Sequence, residues 1–114
     1  MGSRMSKYQN RRTEIDGITF ASKHEATRYV ELKYMERAGI IKNLQLQRAF
    51  TLIGAQKDAD GKVIERPVKY VADFVYEDAK GKTVVEDAKG LKTDVYKIKR
   101  KMMLFIYGIR IVEV

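Results

Sequence analysis

"VKYVADFVYEDAKGKTVVEDAKG", residues 68–90, decides how this chain is read. Two runs rich in β-branched and aromatic residues, 68–76 and 82–89, flank a polar link. They read as neighbouring strands. The first is apolar on both faces, with Pro67 just ahead of it. One five-residue word, Glu-Asp-Ala-Lys-Gly, occurs twice, at 77–81 and 86–90. In the first copy Asp78 suits the opening position of a type I turn and Gly81 the left-handed residue that follows. Ala79-Lys80-Gly81 is therefore expected as a three-residue hairpin loop closed by a bulge. The second copy falls inside a strand.

Loop length sets the register. With Asp78 opposite Lys82, Asp73 stands opposite Asp87 and Val71 opposite Lys89. Directly opposed residues share a face, as do residues two apart on one strand. Asp73, Asp87 and Lys89 are thus expected to cluster, with Glu86 on the other side. A loop one residue longer or shorter would exchange Glu86 for Asp87. Facing carboxylates repel, and the neighbours Tyr70, Val71, Phe74, Val75, Val84 and Val85 predict burial, where charge is costly. A divalent cation would compensate. Mg²⁺ takes carboxylate oxygens together with waters and phosphates, and Mn²⁺ accepts the same octahedral oxygen set. The alternative is a half-exposed strand carrying a charge pair to Lys89.

Outward from this hairpin, Leu44, Leu46, Phe50 and Leu52 alternate in "LQLQRAFTLI" (44–53), a strand pattern with Gln47 opposite the apolar face. Residues 54–66 read as a polar connection with a turn at Asp60-Gly61. Upstream, Ser22 and Glu25 form a capping box ahead of a helix carrying Ala26, Tyr29, Val30, Leu32 and Met35 and ended by Gly39. Before it, Asp16-Gly17 between Ile15 and Ile18 predicts a type I′ hairpin turn. Downstream, a helix runs from Thr93, its N-cap, to Gly108. Ile98, Met102, Phe105 and Ile106 are expected to pack inward, while Lys97, Lys99, Arg100 and Lys101 crowd its first half. Residues 109–114 read as a last strand. The order predicts one α/β or α+β domain over 13–114, a central mixed sheet flanked by helices. Residues 1–12 are expected to form a basic arm with Arg11 and Arg12, and Met1-Gly2-Ser3 reads as an addition before the natural start.

Composition narrows the function. A formal charge of +8 in 114 residues and a pI near 9.7 favour a polyanion, nucleic acid ahead of a membrane surface. The absence of cysteine excludes disulfides, thiolate zinc sites and cysteine nucleophiles. The one histidine, His24, excludes multi-histidine centres and reads as a surface residue. No stretch approaches the ~18 apolar residues of a membrane span, and a cytoplasmic protein is expected.

Asp73, a gap, then Asp87-Ala88-Lys89 resembles the PD-(D/E)XK nuclease signature: an aspartate, then acid-X-Lys on the neighbouring strand. Ala72 stands where the superfamily name has proline. The longer run "SKHEA…NLQLQ…YVADFVY…VVEDAKG…TDVYKIKRKMM…YGIRIVEV" resembles the small phage family called domain of unknown function 1064. The resemblance implies a restriction-endonuclease-like fold and Mg²⁺-dependent DNA cleavage in a bacterial host. Asp73 and Asp87 would be metal ligands, Lys89 the catalytic lysine, and Glu25 a third ligand or water-positioning residue, unless it serves only as a cap. Gln47 resembles a polar strand residue that lines such sites. Lys97, Arg100, Lys101 and Thr93 are candidate phosphate contacts, with Arg11 and Arg12 in the arm.

The leading expectation is a homodimeric, Holliday-junction-resolvase-like endonuclease acting on branched DNA. A nicking or restriction-like duplex endonuclease and a non-catalytic nucleic-acid-binding protein are the alternatives. Ile15, Ile18 and Phe20 of the first hairpin are candidate dimer contacts, unless they pack on the following helix.

Overall fold

The computed structural model describes residues 12–114. In chain order the elements are β1 (Thr13–Ile15), β2 (Ile18–Phe20), α1 (Lys23–Arg37), β3 (Lys42–Ile53), β4 (Gln56–Lys57), β5 (Val63–Glu65), β6 (Val68–Glu77), β7 (Thr83–Asp87), α2 (Asp94–Tyr107) and β8 (Val112–Glu113). Four strands form the central sheet in the order β3-β6-β7-β8. The first two pairings are antiparallel and β7–β8 is parallel, so the sheet is mixed and the fold α+β.

Local chemistry builds these elements as the residues predict. Asp16 (φ 55°) and Gly17 (φ 77°) both lie at positive φ, as a type I′ turn requires. Asp78 accepts at Oδ1 from the N–H groups of Lys80 and Lys82, while its own N–H donates to Lys82 O. Gly81 (φ 81°) completes that loop. It sets the expected register: Glu77 faces Thr83, Val75 faces Val85 and Phe74 faces Glu86. The next step places Asp73 across from Asp87, just past the last paired residues.

Two apolar clusters flank the sheet. One joins Phe74 and Tyr76 to Ala26, Tyr29 and Leu32 of α1; the other joins Val75 and Val85 to Tyr96 and Met103 of α2. Adjacent strand residues point to opposite faces, so the two helices cover opposite faces. The first hairpin belongs to the α1 side. Phe20 is buried against Tyr29 with ring centroids 5.0 Å apart, Ile15 and Ile18 pack on the same cluster, and Tyr29 donates to Asp16. Phe20 is thus buried under α1, while Ile15 and Ile18 are half-buried at the edge of the same cluster.

Four expectations are corrected. β3 does not keep one apolar face: Leu44 and Leu46 pack on the α1 side, Phe50 and Leu52 on the α2 side. The change falls at Gln47, whose φ of 52° is left-handed. The 54–66 segment is a short hairpin, β4–β5, because Asp58 repeats the turn chemistry of Asp78, accepting from Asp60 and Lys62. Its strand residues are all exposed, so no burial pattern marks them. β7 ends at Asp87, leaving Lys89 beyond the strand and Val71, 47% exposed, outside any pairing with it. Finally, α2 buries Tyr96 and Met103; of the expected inward set only Met102 packs on the core, while Ile98, Ile106 and above all Phe105, 90% exposed, face outward. Position 96 and position 103, one heptad apart, carry the buried stripe instead.

Candidate active site

Glu25 sits in the first turn of α1. Ser22 caps that helix by accepting from the Glu25 N–H at 3.1 Å, which is one half of the expected capping box. The Glu25 carboxylate points elsewhere: it accepts from Gln47 Nε2 at 3.2 Å. The same amide donates to Asp73 Oδ1 at 3.1 Å, so Gln47 joins the helical acid to the strand acid. Asp73 Oδ2 accepts from the Ala88 N–H at 2.8 Å, where the β6–β7 ladder has stopped.

Asp87 faces the α2 side. It is 1% exposed, and Tyr70 donates to its Oδ2 at 2.6 Å. Its Oδ1 is buried with no hydrogen-bond partner. Lys89 Nζ stands 3.5 Å from that oxygen, an ion-pair distance, and lies 5.0 Å from the Tyr96 ring centre. Burial raises the pKa of Asp87, and the charge of Asp73 adds to this; the Tyr70 hydrogen bond and Lys89 oppose it. Burial likewise raises Glu25, with Asp73 and Asp87 raising it further against the Ala21 N–H and Lys89. The four expected residues therefore share one electrostatic neighbourhood. They do not share one face, because the switch at Gln47 and Asp73 turns Asp73 towards Glu25 while Asp87 stays with Tyr70.

The donor chemistry suits a hard divalent cation: carboxylate oxygens on three elements, one of them buried and without a hydrogen-bond partner. Among the described residues, no three His, Cys, Asp or Glu side chains converge closely enough to hold an ion. The Gln47 amide occupies the gap between two of the acids.

Two cavities adjoin the site. One of about 380 Å³ is lined by Glu25, Gln47 and Asp73 with residues of β2. The other, about 280 Å³, brings Lys69 and Lys99 beside Lys89, Thr93 and Tyr96. Lys69 and Lys99 were not among the expected contacts; alternation of buried and exposed positions in β6 and a helix face towards the sheet are the only signals for them. Thr93 caps α2, accepting from the Tyr96 N–H. Lys97 and Lys101 are exposed on α2. Arg100 is instead engaged by Glu113 at 3.0 Å, with Lys92 3.6 Å from the same carboxylate. Arg12 is exposed, and Arg11 lies outside the described residues. His24 is exposed and contacts Val114 O at 2.8 Å.

Glu86 lies on the opposite side from Asp87, as the register predicts. It is 1% exposed and takes a two-pronged contact from Arg28, Nε to Oε1 at 2.8 Å and Nη2 to Oε2 at 2.7 Å, with the Tyr76 hydroxyl as a third donor. Burial and the Glu86 contact push the Tyr76 hydroxyl up to about 12. Sequence reasoning gave no partner for Glu86. The available signal was Tyr76 itself, since a buried tyrosine hydroxyl seeks a polar partner. Tyr70 and Asp87 illustrate the same rule.

A family model described as "Protein of unknown function (DUF1064)" matches residues 5–111, nearly the whole chain. The chain belongs to that family. No curated protein and no solved structure matches it. No described helix is long and apolar enough to cross a membrane.

Proposed function

We propose that the chain is a metal-dependent DNA endonuclease of the PD-(D/E)XK type, resolvase-like, cutting phosphodiester bonds in branched DNA. The observation that carries this reading is Asp87 Oδ1, buried without a hydrogen-bond partner, 3.5 Å from Lys89 and within the electrostatic reach of Asp73 and Glu25. A buried carboxylate oxygen without a donor is costly, and such sites concentrate where function needs them.

Asp87, Asp73 and Glu25 would hold Mg²⁺ or Mn²⁺, which when bound supplies water activation and charge neutralisation at a phosphodiester. Tyr70 keeps Asp87 Oδ1 turned away from itself. Lys89 would orient the attacking water and stabilise charge developing on the phosphate. Lys69 and Lys99, on the same cavity as Lys89, would hold a neighbouring phosphate. Lys97 and Lys101 add non-specific attraction along α2. A homodimer belongs to this reading, and α2 exposes apolar side chains that could serve it, Ile98, Leu104, Phe105 and Ile106 among them. A second reading, a DNA-binding protein that does not cut, is favoured by the spread of the three acids.

The test is incubation with four-way, forked and linear DNA of equal length, with and without Mg²⁺, at near-physiological salt. Junction cleavage at least about tenfold over linear duplex, a difference of roughly 1.4 kcal/mol, and lost on chelation is the expected result. Equal cutting of all three overturns junction preference. Binding without cutting, in Mg²⁺ and Mn²⁺ alike, selects the second reading.

A further inference from the structure

We propose that Gln47 sets the affinity of this site for a divalent cation, its side-chain amide holding the place between Glu25 and Asp73 that a shared cation would take. The inference rests on the metal-dependent reading above and adds a competitor to it. One NH₂ group donates to two carboxylates, at 3.2 Å and 3.1 Å. Ionised carboxylates only accept, so the two facing oxygens call for the nitrogen end of the amide. Left alone the two acids repel, and each would favour any positive group placed between them. The amide dipole supplies part of that charge.

The backbone is committed to this placement. Gln47 has φ 52° within β3, a conformation that a residue with a β-carbon rarely adopts. It sits across from Asp73, between the paired steps Leu46–Phe74 and Arg48–Ala72. The side chain is exposed and borders the 380 Å³ cavity together with Phe20, Ala21 and Leu46. It can therefore leave the two acids without unpacking a core. Asp87 Oδ1 keeps no hydrogen-bond partner and has only the Lys89 ammonium, 3.5 Å away, beside it.

A hydrogen-bonded state that must be given up before the ligand enters lowers the apparent affinity by its statistical weight. Removing the amide should then tighten cation binding while weakening the metal-free protein. Gln47→Met keeps the side-chain length and lacks donors. Gln47→Glu keeps the shape and adds a third facing carboxylate. Calorimetric titration with Mn²⁺, without DNA, is compared with thermal unfolding in metal-free buffer. The expected result is a Mn²⁺ Kd for Gln47→Met about tenfold below that of the parent chain, and tighter still for Gln47→Glu, with metal-free melting temperatures falling in the same order. If Gln47→Met does not fold, Gln47→Glu against the parent chain makes the same comparison. An unchanged Kd overturns the inference, since the amide then does not compete. A weaker Kd also overturns it, because the amide oxygen would then be a ligand. In both cases the metal reading stands, as the parent chain binds. A parent chain that takes up no Mn²⁺ overturns the metal reading and this inference together.

Discussion

Arg28→Met should cost this fold more than any loss of a surface ion pair. Arg28 meets Glu86 through two hydrogen bonds, 2.8 Å and 2.7 Å, and Tyr76 supplies only one further donor to that carboxylate. Glu86 is 1% exposed, so water cannot replace the lost guanidinium. Breaking a buried pair from one side typically costs about 3–5 kcal/mol. The Arg28 side chain is 24% exposed, which admits some solvent and argues for the low end, about 3 kcal/mol. For a domain of this size each kcal/mol moves the midpoint by roughly 4–6 °C, so a fall of about 12–18 °C is expected. Arg28 also touches Glu31 at 2.9 Å, but that side chain is 55% exposed and the pair is worth at most ~1 kcal/mol. Glu31→Ala is the matching control. The double variant Arg28→Met with Glu86→Met removes both charges and should recover most of the loss, because well-packed apolar groups replace buried pairs at little cost. Urea and thermal unfolding of the four proteins measure this. Equal losses in the single and double variants would refute the coupling. So would a loss below about 1 kcal/mol for Arg28→Met, which would place Glu86 in contact with solvent.

Lys80 and Lys89 occupy the same place in the repeated word but lie in a turn and beside Asp87 respectively. Lys89→Ala should abolish cleavage while leaving DNA affinity within about threefold, and Lys80→Ala should be nearly silent in both assays; equal effects would sink the distinction. The raised acids predict a pH dependence for the metal-free protein. Glu25 and Asp87 have folded pKa values above their ordinary 4.5 and 3.8, so their contribution to stability is fully present below those values and is lost as pH rises through the raised ones. Asp87→Asn should therefore raise the metal-free melting temperature at pH 7–8, with the gain vanishing towards pH 4, and should also abolish cleavage. A melting temperature lowered equally at both pH values counts against the assignment.

The parts of the fold that could be read from sequence are those controlled by local chemistry. Asp16-Gly17 and Asp78 through Gly81 specify their turns through positive φ and side-chain acceptors, and the second turn then fixes which residues of β6 and β7 meet. That is why Asp73 and Asp87 could be placed across from each other, and why Glu86 could be sent to the other face. The parts that could not be read depend on contacts distant in sequence. Nothing in the order of residues 94–107 says that Tyr96 and Met103 outrank Phe105 for the core, since all three lie on apolar arcs of one helix. Tyr96 wins because its hydroxyl finds Glu113 of β8, at 2.7 Å, and its ring lies 6.3 Å from that of Tyr70.

The change of face at Gln47 was the least accessible feature, and it is the one that makes the site. Strict alternation through β3 would have put Leu44, Leu46, Phe50 and Leu52 on one face. β6 could then have matched it only by presenting Tyr70, Ala72, Phe74 and Tyr76 to that same side. One helix would have found nearly all the large apolar side chains of these two strands, and the other chiefly Val71 and Val75 of β6 with Ala49 and Ile53 of β3. The left-handed Gln47 of β3, with Asp73 across from it, divides that surface instead, giving Leu46 and Phe74 to α1 and Phe50, Tyr70 and Ala72 to α2. A non-glycine residue in that region typically costs of order 1–3 kcal/mol, and burial of two or three large side chains at about 1.5–3 kcal/mol each exceeds this. The same division leaves polar side chains at the crossing point. There the strands hold Gln47 and Asp73 where neither helix covers them, with Glu25 entering from α1 and Asp87 from the α2 side. The acids are thus gathered by the solution to a packing problem, and the strain at Gln47 is common to both.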